Sequence, residues 1–280
     1  MALADFLDVL QCPICAAPFE AEAAVLRCAG GHVFDVAKQG YVNLLTGSAS
    51  TGPADTAGMV AARTEFLAAD HYAGIADAVV SAAAPQEGGV VLDAGAGTGY
   101  YLARVLDSVP IGRGLALDLS KYAARRAARA HPRIAAVVCD TWHTLPVKDG
   151  SVDVVLNVFA PRNGPEFARV LKPGGVLVVV TPTTRHLAEI AESVGMLTVD
   201  RRKPERLQRS LAADFTLMQR DEHDIALRLT AADVERLIRM GPSAWHIEPE
   251  EAARRAATLG PVTATASVTV ARYVPTSRPV

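Results

Sequence analysis

The 280-residue chain lacks a long apolar run, and no charged-then-apolar leader opens it. A membrane span needs about 20 mostly apolar residues, so the expectation is a cytoplasmic protein with no membrane partner. Internal repeats and coiled-coil heptads are missing too, which excludes solenoids and long helical rods. There is no basic excess: 28 Lys and Arg stand against 30 Asp and Glu, a net charge of −2. That argues against indiscriminate polyanion binding but leaves room for local basic patches. Cysteine is scarce, at four, and three lie within the first 28 residues. In a reducing compartment such clustering points to metal more than to disulfides. Half the residues are hydrophobic, enough to build one sizeable domain plus an appendage.

The most informative stretch runs from residue 90 to residue 118. An apolar strand, Val90 to Leu92, leads into Asp93-Ala94-Gly95-Ala96-Gly97-Thr98-Gly99, and a helix starts near Tyr100. A second apolar strand ends in Asp118. Glycines at a strand–helix turn let the backbone approach a bound molecule closely. The acid closing the second strand is placed to accept hydrogen bonds from a ribose diol. Dinucleotide folds share this turn, but Asp93 inside it would repel a pyrophosphate and attract a methionine ammonium. Leu145-Pro146, then Gly150 to Leu156, then Arg169 to Gly175 and the apolar run Val176 to Val180 follow in order. This ordered set resembles the class I methyltransferases, which makes S-adenosylmethionine the expected cofactor.

Alternating apolar strands and helices predict an α/β fold with a Rossmann-like, doubly wound parallel sheet. Strands are expected near 90–94, 114–118, 134–138, 152–157 and 175–181, with helices near 100–107, 120–130 and 164–171. Ligands bind at the carboxyl ends of such strands, where Asp93, Asp118, Asp140 and Asn157 all fall. The expected cofactor contacts are therefore Asp93 for the methionine amine and Gly95, Gly97, Thr98 and Gly99 along the turn. Asp118 is assigned to the ribose, and Asp140 with Thr141 to the adenine amino group. Cys139 reads as a small buried side chain. Runs near 214–220, 225–229 and 262–273, with a helix near 231–239, read as an antiparallel finish to the sheet.

Upstream, Cys12-Pro13-Ile14-Cys15 and Cys28-Ala29-Gly30-Gly31-His32 form two knuckles separated by 12 residues. Three thiolates and one imidazole fill a tetrahedral zinc shell and leave no open position, so the zinc would be structural. About 35 residues cannot bury much core unaided. Residues 33–45 read as a strand or turn segment returning toward the metal, which closes a zinc module over 1–45. Linker and helices take 46–85, with Thr46 to Ala57 read as a flexible tether or a segment that orders over substrate. The methyltransferase domain takes 86–280.

Several residues carry two readings. Tyr72 covers the cofactor or packs between helix and sheet. Phe159, after the fourth strand, stacks on a base or plugs the core, and Arg162 meets a phosphate or a base edge. His186, after the fifth strand, touches cofactor or substrate, or caps a helix. The Arg-rich stretch Arg201 to Arg209 is the stronger candidate for phosphate contacts. Arg125, Arg126 and Arg129 are adequately explained as a solvated helix face.

Longer motifs narrow the class further. Gln11-Cys12-Pro13-Ile14-Cys15, Gly31-His32-Val33-Phe34-Asp35 and Ala37 to Leu45 closely resemble the bacterial 23S ribosomal RNA guanine-N1 methyltransferases. So do Asp70-His71-Tyr72, Gly97 to Tyr101 and Arg185-His186-Leu187. The resemblance spans about residues 10 to 273. It implies methylation of a guanine in the hairpin 35 loop of 23S rRNA, in the branch tied to tylosin and mycinamicin resistance. It also implies zinc held by Cys12, Cys15, Cys28 and His32, cofactor contacts at Tyr72, Gly97-Thr98 and His186, and a homodimer. Guanine carries a proton on N1 that a base must remove. Asp140, His143 and His186 are candidates by position alone, with Phe159 as a stacking surface. The rival readings are a small-molecule methyltransferase and a non-catalytic RNA-binding protein that binds the cofactor.

Overall fold

The computed structural model describes residues 2–47, 54–197 and 210–276. The Arg201 to Arg209 stretch, and the middle of the Thr46 to Ala57 linker, lie outside the described residues.

Apolar, β-branched segments form the centre of the molecule. They are β5 (Val90–Ala94), β6 (Arg113–Asp118), β7 (Ile134–Val138), β8 (Val152–Val158) and β9 (Leu171–Pro182). Every residue of β5 and β7 is buried, as expected where both faces of a parallel sheet are covered. β10 (Phe215–Leu229) and β11 (Val262–Pro275) extend the sheet antiparallel beyond β9. β4 (Tyr41–Asn43) closes the opposite edge, giving the order β10-β11-β9-β8-β5-β6-β7-β4. The order reverses between β5 and β8, so a crevice opens above their carboxyl ends. The five parallel strands expected from the sequence are all present; β9 begins earlier, before the Lys172 to Gly175 turn.

One face of the sheet is covered by α1 (Ala57–Ala68), α2 (Ala73–Ala83), α3 (Tyr100–Asp107) and α4 (Lys121–Ala127). Toward the chain's end, α6 (Ala188–Ala191), α7 (Ala231–Met240) and α8 (Pro249–Leu259) join this layer. Helix starts follow local capping: Thr56 accepts from the Met59 amide, and Thr230 with Asp233 forms a capping box. α8 has no counterpart among the expected elements. Its buried residues are alanines, Ala252 and Ala256, which give a faint apolar stripe. The two runs expected near 214–220 and 225–229 are one strand, with a register shift between Leu217 and Gln219.

The other face is covered differently. α5 (Gly164–Val170) lies there beside a 3-10 helix, Ala2–Phe6, and the segment that follows it. Leu3, Phe6, Val9 and Leu10 share one apolar core with Leu92, Leu115 and Val155 of the sheet. Cys12, Phe19, Leu26 and Cys28 belong to that same core. A small antiparallel sheet, β1 (Phe19–Glu22), β2 (Val25–Cys28) and β3 (Val33–Asp35), carries the cysteine knuckles.

The segment 33–45 does not simply return to the metal. β4 pairs parallel to β7, with Tyr41 against Ala136 and Asn43 against Val138. The physical reason is alternation: Val42 and Leu44 enter one core while Tyr41 and Leu45 pack against the other. The last strand of the 1–45 stretch is therefore also a strand of the large sheet.

Candidate active site and metal centre

The turn Cys12-Pro13-Ile14-Cys15 and the turn Cys28 to His32 bring four ligand atoms within 4.8 Å of one another. His32 Nδ1 lies 3.6 Å from Cys12 Sγ, 3.5 Å from Cys15 Sγ and 3.4 Å from Cys28 Sγ. Cys15 and Cys28 Sγ are 3.6 Å apart. A tetrahedron with metal–sulfur bonds of about 2.3 Å and metal–nitrogen bonds of about 2.0 Å has edges of roughly 3.5–3.8 Å. The donor set and its spacing fit zinc. Gly30 suits the fit, since a Cβ there would stand a tight 3.0 Å from Cys15 Sγ. Burial opposes ionisation of the Cys28 thiol, but hydrogen bonds from His32, Cys15 and Cys12 outweigh it and draw the pKa down to about 6. That favours the thiolate a metal needs.

At the sheet's carboxyl edge, Gly95, Gly97 and Gly99 all have positive φ, at 84°, 55° and 77°. A Cβ on Gly95 would meet Ala160 Cβ at 2.5 Å, and one on Gly99 would meet the Ala127 backbone at 3.0 Å. Thr98 is buried between them. Asp93 is 1% exposed, and neither carboxylate oxygen has a hydrogen-bond partner. Burial, reinforced by the charge of Asp118, pushes its pKa up to about 8. An acid buried without partners is costly, and an ammonium ligand would resolve it. Asp118 accepts the Gly97 amide on one oxygen and the Ser120 amide on the other, each at 2.8 Å. Burial still holds its pKa above the usual carboxylate range. These residues fit S-adenosylmethionine: a cation-seeking acid, a glycine cradle and a diol acceptor in sequence.

Tyr72, Phe159 and His186 converge above this cradle. Their ring centroids are 6.3, 6.1 and 5.9 Å apart pairwise. His186 Nδ1 lies 3.2 Å from the Ser267 carbonyl, which only accepts, so Nδ1 carries the proton. Its Nε2, 3.3 Å from Tyr72 Oη, is then the acceptor of the tyrosine hydroxyl. Burial holds the Tyr72 phenol protonated, in keeping with that role. Phe159 adopts φ 55°, a left-handed conformation that is strained for an aromatic residue. It remains 40% exposed, so it does not plug the core. Beneath it, Asn157 is fully buried and donates to the Ala94 carbonyl at 3.1 Å and the Pro161 carbonyl at 2.7 Å, pinning the loop.

Asp140 and Thr141 sit at the end of β7, but Asp140 is committed. Its Oδ1 accepts the Trp142 amide at 2.9 Å, and its Oδ2 lies 3.0 Å from His143 Nδ1. Three site residues had no reading in the sequence. Arg63 of α1 pairs with Asp55, donates to the Met240 carbonyl at 2.6 Å and stands over Gly97. Trp142 is 64% exposed beside His143. Asn163 donates to the Thr141 and His143 carbonyls, each at 3.1 Å. Arg63 and Asn163 are placed by contacts between distant segments that no local motif announces. Cys139 is buried, as expected.

The fold and this site define a class I, S-adenosylmethionine-dependent methyltransferase carrying a zinc ribbon. Two family descriptions match it: "RlmA, N-terminal" over residues 10–47 and "Methyltransferase domain" over residues 91–175. A Micromonospora griseorubida protein assigned as a 23S rRNA (guanine-N1)-methyltransferase is 52% identical, over 97% of this chain and 99% of its own. The 23S rRNA (guanine(748)-N1)-methyltransferase of Streptomyces fradiae is 47% identical, over 95% of this chain and 97% of its own. The chain belongs to the 23S rRNA (guanine-N1)-methyltransferase family. Among solved structures, a chain from the complex of the Haloferax volcanii Trm112 methyltransferase activator with its methyltransferase superposes with a TM-score of 0.54. At 22% identity, covering 81% of this chain and all of the other, that likeness concerns the fold alone.

Proposed function

We propose that this chain transfers a methyl group from S-adenosylmethionine to N1 of a guanine in the hairpin 35 loop of 23S rRNA. The guanine equivalent to position 748 is the target, and macrolide resistance of the tylosin and mycinamicin kind is the consequence. The observation that carries the reading is the end-to-end likeness, ribbon included, to relatives with that activity in their names. A small-molecule methyltransferase has no use for a zinc ribbon that shares its core with the catalytic sheet.

In this reading Cys12, Cys15, Cys28 and His32 hold a structural zinc. Asp93 receives the methionine ammonium, Asp118 the ribose, and Thr141 with the Asp140 backbone region the adenine. S-adenosylmethionine supplies an electrophilic methyl group on a cationic sulfur. Tyr72, Phe159 and His186 give that cation aromatic and dipolar neighbours. Phe159 offers a face on which a base splayed from its loop stacks. The protein works in the cytoplasm and as a homodimer, the latter to be read by light scattering.

The test is methyl transfer from labelled S-adenosylmethionine to unmodified 23S rRNA, with the product mapped by primer extension. N1-methylguanine blocks pairing, so an arrest at one guanine of hairpin 35 is expected. Cofactor binding without any arrest would shift the reading to a small-molecule substrate.

A further inference from the structure

We propose that His143, oriented by Asp140, is the group that takes the N1 proton of the target guanine. The inference rests on the guanine-N1 reading above and answers what that reading leaves open. Three residues are positioned for the task, and the geometry separates them. Both nitrogens of His186 are engaged, by the Ser267 carbonyl and the Tyr72 hydroxyl. Both oxygens of Asp140 are engaged as well, by the Trp142 amide and His143. His143 differs. Its Nδ1 faces the Asp140 carboxylate at 3.0 Å, and its side chain is 65% exposed. No described residue hydrogen-bonds its Nε2.

The carboxylate only accepts, so it fixes the proton of neutral His143 on Nδ1 and leaves the Nε2 lone pair outward. After protonation the same carboxylate stabilises the imidazolium, as a base–orienter pair requires. Asp140 is the carboxylate against the ring. Glu166 and Arg169 reach the loop two residues further on, at the Leu145 amide and carbonyl. The position suits the reaction: Asn163 ties the Thr141 and His143 carbonyls to the loop that presents Phe159. Trp142 and Phe159 are exposed rings on the two segments that Asn163 joins, and each offers a face to a splayed guanine.

The step balances. N1 gives its proton to Nε2 and forms a bond to the methyl carbon as the carbon–sulfur bond breaks, its electron pair staying on sulfur in S-adenosylhomocysteine. Exposure of His143 lets the proton pass to water before the next turnover.

The test is single-turnover methylation of 23S rRNA by the full-length zinc-loaded protein, wild type against H143A and D140N, across pH. Cofactor and RNA binding are measured separately by calorimetry and anisotropy. For H143A the expected result is a rate about 100-fold lower with both bindings retained. Its rate keeps climbing with hydroxide where the wild type levels off, and added imidazole restores it in part. D140N frees the ring to adopt the other tautomer, which puts a proton on Nε2. Its rate falls as well, with RNA affinity unchanged. An H143A rate within threefold of wild type, with the same pH profile, overturns the proposal and assigns the proton to water or RNA. So does a loss that tracks weakened RNA or cofactor binding and resists imidazole. If the wild type itself gives no arrest in hairpin 35, the guanine-N1 reading fails, whatever the variants do.

Discussion

Asp93 concentrates the chemistry of the proposed cofactor site in one side chain. It is buried, unpartnered and titrates near pH 8. A folded-state pKa raised from 3.8 means the cofactor-free protein gains from protonation. That contribution is complete below the ordinary carboxylate range and is lost as pH rises through about 8. Asp93→Asn removes the dependence. At pH 9 the cofactor-free variant should therefore be more stable than wild type by a few kcal/mol, read by thermal melting, with the gap closing toward pH 5. Cofactor affinity should move the other way. It rises from pH 6 to 8 in wild type and is low and flat in the variant, measured by calorimetry. A second test at this scale is Gly95→Ala. The new methyl meets Ala160 at 2.5 Å in a backbone with φ 84°, so a loss of about 1–3 kcal/mol is expected. Cofactor affinity should fall further than stability does. Asp93, Asp118 and the glycines were legible because each sits at a strand end with turn residues beside it. Arg63 and Asn163 were not, because their partners lie on segments that meet only in the fold.

At the scale of elements, the zinc ribbon is the informative unit. Its three short strands bury little by themselves: β1 has one buried residue in four, and β3 has none. Metal ligation must supply what the core does not. Chelation, or Cys15→Ser, should unfold β1–β3 and abolish RNA binding, while cofactor affinity changes by less than about threefold. Hydrogen exchange with and without chelator reads the first effect and calorimetry the last. Persistent protection of β2 after zinc removal would contradict it. β5 to β8 were legible to within a residue or two because continuous apolar runs bounded by glycine and acid leave few alternatives, whereas β9 starts earlier than expected, ahead of the Lys172 to Gly175 turn. β4 was not, because a three-residue segment has no period of its own. α8 was not, because alanine marks a buried stripe too faintly.

The whole molecule carries a net charge of −2, which bears on how it holds an RNA. Contacts with phosphate must be local and few. The dependence of log affinity on log salt should be shallow, with a slope of about −2 to −4 for three to five phosphate contacts. Anisotropy between 50 and 200 mM salt measures it. A slope near −10 would indicate the broad polyanion binding that the composition argues against. A contact between the ribbon's lead-in and the sheet's loops is also visible only at this scale. Leu10 pairs with Val147, and the Gln11 amide donates to the Pro146 carbonyl. The loop after β7 is thus fastened at its far end by the chain that leads into Cys12.

That fastening sets an order of events during synthesis. Leu3 to Leu10 dock on strands and loops made long after them, and β4 lacks its neighbour in the large sheet until β7 emerges. About 140 residues separate the amino-terminal arm from its partner at Val147 and must be translated before the arm can settle. Zinc capture by the knuckles, with pairing of β1 to β3, is a structural event available in the interval. A nascent chain halted once β3 has cleared the exit tunnel should carry metal and the small sheet β1–β3 but none of the large sheet, and the amino-terminal arm should become resistant to protease only after residue 148 has cleared it.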